Sequence, residues 1–309
     1  MNANEQPKAL VPVGAFLYNA PIMQAERLGL QHKDLLFNRL RGITVPLSEY
    51  SFSNLYLFRH AHDYQVLLGD HVFIRGRTYD GHTFAMPTEP PERMGLSCVR
   101  ELLGEVEFLF PIPETWLPHF PAEAFDVTFN EGDADYLYTV EKMSTYPGRR
   151  LHKKRNLLKQ FVGAYRHEAL PLTNDRIADA LSVLESWSRE STLDPRETDY
   201  DPCREALELY DELVLCGGIV YADGEPAGFV LGEEVNDETF VLHFAKARTA
   251  FKGVYQYLFN SFARVLPPKY RYLNLEQDLD KENLRVFKSS YVPDVMLPKA
   301  RVAVRKGAV

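Results

Sequence analysis

The sequence predicts an α+β (mixed α/β) fold made of two similar halves, and three observations support this. The chain has 309 residues, of which 45% are hydrophobic, enough to fill two cores of ordinary domain size. Short strand-like segments alternate with helical segments along the whole chain, which is typical of sheets flanked by helices rather than of a bundle or a barrel. The clearest stretch, residues 217–291, has the order β-β-β-α-β-α.

The first half begins with a predicted helical region over residues 47–62. Three short strands follow, and the dipeptides Gly69-Asp70 and Asp80-Gly81 separate them as turns. A helix and three further strands complete this half. The predicted strands are 65–68, 71–77, 83–87, 105–110, 126–129 and 137–141, and the predicted helix is 91–103.

The second half repeats that order. A helix over 203–215 precedes strands over 217–222, 226–231 and 239–245, which Asp223-Gly224 and Asn236-Asp237 separate as hairpin turns. A helix over 253–266 follows, and its predicted apolar face is Val254, Tyr257, Leu258, Phe262 and Val265. A strand over 270–275 and a helix over 281–291 end the half. The polar segment 191–202 carries two prolines and is predicted to be an exposed loop beside this half.

A basic amphipathic helix is predicted over residues 148–161. The chain has a formal net charge of −8, yet positive charge is concentrated here. Leu151, Leu158 and Val162 form the predicted packed face. Like charges four residues apart cost a few tenths of a kcal/mol per pair, so their retention indicates an anionic partner, with an ordinary solvated basic face as the alternative. The candidate anion-binding residues are Arg149, Arg150, Lys153, Lys154 and Arg155.

Several of these segments together resemble a known family, the soluble domain of phosphatidylglycerol lysyltransferases, and especially its stand-alone cytosolic relatives. The resemblance extends over about residues 33–298. It is carried by residues 50–60, the basic helix, residues 251–256, the Asn-x-Glu-Gln-Asp run at 274–278 and the Lys-x-Ser-Tyr-x-Pro element at 288–293. The resemblance implies tandem GNAT-like N-acyltransferase domains, each a twisted mixed sheet flanked by helices. We expect domains 1–165, including the basic helix 148–165, and 166–309.

The segment before the helix at 253 is a candidate carrier loop. Acyltransferases of this architecture hold the pyrophosphate of an acyl carrier with backbone N–H groups at a helix N-terminus, where glycines let the backbone come close. Here Phe251 stands where the first glycine of the usual pattern should be, which weakens the case for coenzyme A. A simple helix-start glycine is an equally open interpretation. The predicted loop residues are Arg248, Lys252, Gly253 and Tyr255.

The predicted catalytic residues are Glu276, Asp278, Lys288 and Tyr291, at the end of the strand over 270–275 and on the helix that follows. Carboxylates there would bind the ammonium of a substrate or accept its proton, and Lys288 and Tyr291 would hold a phosphate or an oxyanion. The alternative is that Asp278 caps a helix and Lys288 is simply exposed.

Other patterns are weaker. His60 and His62 diverge on a helix and make a poor metal pair, so no metal site is predicted. His243 alternates with apolar residues, so it either faces the reaction cleft or is a hydrogen-bonded core residue. Three cysteines without paired spacing and no signal pattern predict a cytoplasmic location, and no run approaches the roughly twenty apolar residues of a membrane span.

The resemblance implies transfer of an aminoacyl group from aminoacyl-tRNA to an amine or hydroxyl acceptor. No tightly bound cofactor is expected. The basic helix would contact tRNA, and the acceptor would be a lipid head group or a small soluble molecule, because the membrane domain of the lipid-modifying members is not in this sequence. An acyl-CoA-dependent N-acyltransferase is the first alternative, and a non-catalytic module that binds an anionic ligand is the second. The sequence does not predict an oligomeric state.

Overall fold

The computed structural model describes residues 23–307, which form two seven-stranded mixed sheets with helices around them. The first sheet consists of β1 (Gln24–Arg27), β2 (Gln65–Leu68), β3 (Phe73–Arg77), β4 (Thr83–Pro87), β5 (Phe108–Ile112), β6 (Phe125–Phe129) and β14 (Ala300–Val304). The second consists of β7 (Asp135–Thr139), β8 (His167–Pro171), β9 (Cys216–Ala222), β10 (Glu225–Asn236), β11 (Thr239–Ala247), β12 (Tyr272–Asn274) and β13 (Val295–Leu297).

Nine α-helices lie in the described part of the chain. Three belong to the first half and two more, including the basic helix α5, link the halves. The helices are α1 (Lys33–Arg41), α2 (Phe52–Leu57), α3 (Gly95–Leu102), α4 (Val140–Thr145), α5 (His152–Ala164), α6 (Ile177–Glu190), α7 (Tyr200–Glu208), α8 (Val254–Val265) and α9 (Glu282–Ser289).

The two sheets have the same topology. The first has the order β1-β2-β3-β4-β5-β14-β6, and the second, taken from its other edge, has β8-β9-β10-β11-β12-β7-β13. In each, four strands form an antiparallel meander, the fifth pairs parallel with the fourth, and two antiparallel strands complete the sheet. The prediction of a mixed α/β fold in two similar halves is confirmed.

The halves exchange one strand each. β7 pairs with β12 in the second sheet, and β14, near the C-terminus, lies between β5 and β6 in the first. Each sheet therefore contains a strand from the other side of residue 165. The division into 1–165 and 166–309 stays a prediction.

Two hydrophobic cores hold the molecule together. The larger joins the first sheet to one face of the second through α6 and α7. The smaller packs α4, α5, α8 and α9 on the other face of the second sheet. Strand alternation explains the division: Ile219 and Phe229 point to the larger core, and their neighbours Val220 and Val230 point to the smaller.

Several details of the predicted elements are wrong. The helix expected over 47–62 is reduced to the six residues of α2, and the helix expected over 203–215 begins at Tyr200 and ends at Glu208. The predicted apolar faces extend too far, because Val162 and Val265, each near the end of its helix, are 45% and 74% exposed. The loop 191–202 is helical from Tyr200 onward.

Candidate active site

A gap opens in the second sheet where two parallel strands part. β11 and β12 pair over only three residues, ending at Val241 and Asn274. β11 then continues to Ala247 with β10 as its partner on one edge and no described strand on the other, while the chain after β12 turns away. Polar side chains at the carboxyl ends of neighbouring parallel strands lie close together, and such a parting is a common place for a ligand.

A cavity of about 750 Å³ occupies this gap, within the size range of small-molecule sites. Its walls are the free part of β11, the turn after β12, α9, and the end of α6 with the segment that follows it. The residues that line it are Phe58, Trp187, Ser191, Leu193, Glu197, Thr198, Asp199, Leu242, His243, Ala245, Lys246, Phe259, Leu275, Glu276, Gln277, Leu279, Lys281, Asn283, Leu284, Phe287 and Lys288.

Glu276 stands at the head of the turn and has an unusual backbone conformation. Its φ is +58°, in the left-handed region that non-glycine residues seldom adopt, and Leu279 and Asp280 share it. The Asn274 side chain stabilises the turn by accepting the Glu276 N–H at 2.7 Å. The Oε1 atom of Glu276 accepts from Asn54 Nδ2 at 2.8 Å. Non-glycine residues held in this region cluster at functional sites, so the geometry marks Glu276 as a site candidate.

A β-bulge brings His243 to Glu276. The register between β10 and β11 jumps from Leu231 opposite Phe244 to Gly232 opposite Leu242, so His243 is an extra residue without a partner on β10. Only glycine fits at 232, because a Cβ there would lie 1.9 Å from the carbonyl oxygen of Val241. The bulge places a polar side chain in the wall of the cavity.

The His243 imidazole lies between two carboxylates. Its Nδ1 is 2.8 Å from Glu276 Oε1 and its Nε2 is 3.0 Å from Glu233 Oε1, and the His243 side chain is fully buried. Ser51 Oγ donates to the same oxygen of Glu233. Burial alone would lower the pKa of His243, but the hydrogen bonds and charges of the two glutamates outweigh it and raise that pKa to about 9. One imidazolium between two carboxylates leaves one net negative charge.

Lys288 lines the same cavity from α9. Its Nζ donates to the carbonyl oxygens of Glu276 and Gln277, so the ammonium holds the left-handed turn. Burial lowers the pKa of Lys288 to about 8. Because an ammonium has three donors, one N–H remains beyond the two that these carbonyls accept.

A second buried lysine fixes the turn from below. Lys299 is completely buried, and its Nζ lies 2.7 Å from oxygens of Glu49, Asp135 and Gln277. Asp135 also accepts from Asn274 Nδ2 at 2.8 Å, so the network reaches both sides of Glu276. Burial raises the pKa of Glu49 to about 7 against the opposing effect of Lys299.

Asp278 and Tyr291, predicted to be catalytic, lie outside the residues that line the cavity. Asp278 forms a bidentate ion pair with Arg285 at 2.8 and 2.9 Å and accepts from the Tyr136 hydroxyl, and these hydrogen bonds hold its pKa low against the effect of burial. The Tyr291 hydroxyl accepts from Gln256 Nε2 in the smaller core, and burial raises its pKa. The catalytic roles predicted for Asp278 and Tyr291 remain predictions, and these contacts do not support them.

The candidate carrier loop is closed by protein groups. The backbone N–H groups of Arg248, Thr249, Phe251, Lys252 and Val254 each donate to a protein oxygen. The oxygen that Lys252 meets is the Tyr165 hydroxyl at the end of α5.

Gly253 shows how closely this loop packs on α5. It begins α8 with φ +88°, and a Cβ there would lie 2.2 Å from the carbonyl oxygen of Leu157 in α5. The glycine therefore serves the close packing of α5 on α8. Arg248 pairs with Glu225 at 2.9 Å, and Tyr255 packs edge-on against Phe287, with its pKa raised to about 12 by burial.

The basic helix has only part of its charge on the surface. The predicted helix begins only at His152, so Arg149 and Arg150 lie in the turn before α5. Both are exposed, as is Lys153 on α5, and none of the three forms an ion pair with another described residue. Lys154 folds back: its Nζ lies 3.7 Å from the centre of the Tyr291 ring and donates to Ser290 Oγ, and burial lowers its pKa to about 8. Arg155 also turns inward and donates to two backbone carbonyls before α5.

Sequence reasoning left the place of His243 open between the cleft and the core, and it missed other polar residues in and beside the cavity. His243 and Glu233 meet through the bulge, and Lys246 pairs with Asp199 at 2.5 Å. A signal existed for His243, which is the single polar residue in the run 240–245. None pointed to Lys246 or Asp199, because 47 residues separate them. No helix within residues 23–307 combines the length and apolar composition needed to cross a bilayer.

Comparisons with known proteins place the chain in a family. Residues 42–303 match the family described as "Phosphatidylglycerol lysyltransferase, C-terminal". An uncharacterised protein of Mycoplasmoides gallisepticum is 24% identical over 190 residues, 57% of this chain and 58% of that protein. The match thus spans less than two thirds of the length of that curated relative.

Two solved structures show the same fold. One is a conserved protein of unknown function from Bacteroides thetaiotaomicron VPI-5482, with 25% identity, a TM-score of 0.77 and coverage of 92% of this chain and 100% of that chain. The other is the C-terminal domain of a putative lysylphosphatidylglycerol synthetase from Agrobacterium fabrum, with 15% identity, a TM-score of 0.60 and coverage of 90% and 92%. The predicted tandem GNAT-like fold is confirmed. The chain belongs to the family of phosphatidylglycerol lysyltransferase C-terminal domains.

Proposed function

We propose that this protein transfers an aminoacyl group from aminoacyl-tRNA to an amine or hydroxyl acceptor, with the reaction in the cavity beside Glu276. The observation that carries the proposal is the carboxylate of Glu276. Both of its recorded hydrogen bonds, from Asn54 and His243, go to Oε1, and no described residue bonds to Oε2. A carboxylate oxygen left free in a ligand-sized cavity suits the ammonium of an aminoacyl group.

His243 makes Glu276 a binding group rather than a base. The imidazolium and Asn54 both bond to Oε1, so they fix the orientation of the carboxylate and leave Oε2 for a ligand. The net negative charge of the Glu233–His243–Glu276 cluster attracts a cation. We therefore expect the site to bind an aminoacyl ester, which has an ammonium, more tightly than an uncharged acyl ester.

The reaction itself needs few protein groups. The acceptor N–H or O–H attacks the ester carbonyl carbon, a new bond to that carbon forms, the bond to the tRNA 3′ oxygen breaks, and a proton passes from the acceptor to that oxygen. The protein supplies orientation and a donor for the developing oxyanion. Lys288 fits the second task, because it lines the cavity with one N–H beyond those that hold the turn.

The exposed part of the basic helix supports tRNA as the carrier. Arg149 and Arg150, just before α5, and Lys153 on it present three cations without acidic partners among residues 23–307. Phe287 connects this helix to the site, since it lines the cavity and lies under Lys154 Nζ at 5.9 Å. The filled space at Gly253 weighs against acyl-CoA as the carrier. We place the reaction in the cytoplasm, where aminoacyl-tRNA is made and where three free cysteines are stable.

The first experiment compares binding of aminoacyl-tRNA, N-acetylaminoacyl-tRNA and deacylated tRNA. We expect the wild type to prefer the free ammonium and Glu276→Gln to lose that preference, with Glu282→Gln, an exposed acid on α9, as the matched control. Equal binding of all three tRNAs by the wild type would contradict the assignment of Glu276.

The second experiment tests the carrier. Binding should weaken steeply with salt, and Arg149→Gln/Arg150→Gln should lower the slope of log K against log salt by up to about 2, whereas Arg93→Gln/Arg100→Gln, an exposed pair on the first half, should not. Discharge of labelled aminoacyl-tRNA is then measured with phosphatidylglycerol vesicles or soluble amines. Stabilisation by coenzyme A alone would favour the acyl-CoA alternative. Tight binding with no discharge onto any acceptor would favour the non-catalytic module.

A further inference from the structure

The cavity also contains a second charged cluster, formed by residues other than Glu276 and His243. Lys246 on β11 has a side chain only 6% exposed, and its Nζ lies 2.5 Å from Asp199 Oδ1 and 3.7 Å from the centre of the Trp187 ring. All three residues line the cavity. The proposed transfer reaction uses none of them.

Lys246 has an exchangeable counter-ion. A buried ammonium requires a negative partner, and Asp199 is the acid that pairs with it among the described residues. Asp199 is 38% exposed and sits on the segment between α6 and α7 rather than in a core. An ion pair with one partner in solvent contributes little, so an anionic group of a ligand can take the place of Asp199 at small cost.

Trp187 gives this cluster an aromatic surface next to the cation. Phe58, Phe259 and Phe287 add apolar walls to the same cavity. An aromatic face for a base and a lysine for the adjoining phosphate are the two elements with which proteins bind single nucleotides of a strand. Trp187 supplies the aromatic face and Lys246 the cation, and the Lys246 Nζ lies 3.7 Å from the centre of the Trp187 ring.

The charges of the cavity are arranged along β11. The carboxylate of Glu276, held by His243, lies at one end, and the Lys246 ammonium, three residues beyond His243 on the strand, lies roughly 10 Å away at the rise of a β-strand. An aminoacyl ester of a nucleotide has the matching polarity, with an ammonium on the acyl side and a phosphate and base on the other side of the ribose. The arrangement thus orients the ligand.

We infer that Trp187 and Lys246 form a subsite for a phosphorylated nucleoside, the 3′-terminal nucleotide of the carrier, with Asp199 as the counter-ion that its phosphate displaces. This inference rests on the proposed function and names the part of the carrier that the cavity recognises. The same chemistry is present in a free nucleotide and in coenzyme A, so the experiment has an arm for each source.

The direct probe is tryptophan fluorescence. The chain has two tryptophans, and Trp116 is buried against Tyr50 in the first half. We expect AMP to quench the emission and inorganic phosphate not to, and the quenching to disappear in Trp187→Phe, in which Trp116 alone remains. No change with AMP at millimolar concentration would overturn the inference.

Charge variants test the exchange of counter-ions. Lys246→Gln should weaken AMP binding at least about fivefold and leave adenosine binding unchanged, because only AMP has the phosphate. Asp199→Asn should strengthen AMP binding, since the competitor for Lys246 is removed. Glu197→Gln removes the same charge from the same segment without a contact to Lys246 and is the matched control. Equal effects of the two acid variants would contradict the exchange.

Truncated tRNA separates this inference from the proposed function. We expect tRNA that lacks its terminal adenosine to bind at least about fivefold more weakly than tRNA ending in CCA, and Trp187→Leu to abolish that difference. Salt-dependent tRNA binding that ignores the terminal adenosine would refute the subsite and leave the proposed function standing. Quenching by AMP and coenzyme A in a protein that binds no tRNA would refute the proposed function and keep the subsite.

Discussion

The charge state of His243 makes a measurable contribution to stability that depends on pH. Its pKa rises from an ordinary 6.5 to about 9 in the folded protein because Glu233 and Glu276 outweigh the effect of burial. At about 1.4 kcal/mol for each pKa unit, this difference corresponds to about 3 kcal/mol of stability. Because the folded pKa is the higher one, the contribution is complete below about pH 6 and is lost as pH rises through 9.

The perturbation is His243→Gln, and the quantity is the difference in free energy of unfolding between wild type and variant. We expect this difference to fall by about 2 kcal/mol between pH 7 and 9.5. Urea denaturation followed by circular dichroism at each pH supplies the free energies. NMR of the imidazole carbons should show His243 titrating near pH 9.

The wild-type curve alone is not diagnostic. The pKa values of Lys154 and Lys288 are lowered to about 8 by burial, so these groups lose protons in the folded state first and make stability rise between about pH 8 and 10.5. Their effect has the opposite sign and is present in both proteins, so it cancels in the difference. A difference that is flat from pH 7 to 9.5, or an imidazole that titrates below pH 7, would refute the assigned charge state.

Three further outcomes follow from buried contacts. Gly253→Ala should lower the free energy of unfolding by about 2 kcal/mol or more, because the new Cβ would lie 2.2 Å from a carbonyl oxygen of α5. Gly163→Ala is the control, because a Cβ at this position of α5 meets nothing within 4 Å, and it should be neutral or stabilising in thermal unfolding. Lys299→Met should cost about 3–5 kcal/mol at pH 8 and less at pH 5, where Glu49 is neutral, and an equal cost at both would contradict the charge argument. Lys154→Met should leave tRNA affinity within about twofold of wild type, since this ammonium is folded onto an aromatic ring, and a tenfold loss in a filter-binding assay would show otherwise.

The fold was predictable where local chemistry decides it. Two-residue turns such as Asp223-Gly224 fix a hairpin irrespective of the rest of the molecule, and the strands on either side lie where the pattern predicted. The exchange of β7 and β14 between the sheets was not predictable, because such pairing depends on contacts between residues more than a hundred positions apart. The local hydrophobic pattern of the sequence contains no information about these distant contacts.

The residues of the candidate site were likewise predictable only where local sequence determines their position. Glu276 was predicted because polar residues at a strand end stand out against an apolar strand. His243 became part of the site through a bulge, a one-residue change of register that alternation alone does not reveal. In the carrier loop the sequence pattern was misleading. Gly253 matches a phosphate-loop pattern, but in the structure the missing side chain leaves space for the carbonyl oxygen of Leu157.

The turn over residues 276–280 is strained, and buried or half-buried polar side chains around it hold its conformation. Three left-handed residues within five positions, at 276, 279 and 280, would not persist in a chain free to relax. Lys288 holds the carbonyls of this turn, Lys299 holds the side chain of Gln277, and Asp278 anchors it to Arg285. These hydrogen bonds and the Asp278–Arg285 ion pair thus hold a backbone conformation that would otherwise relax. The strained turn places Glu276 in the lining of the cavity, and among the described residues both hydrogen bonds to its carboxylate go to Oε1.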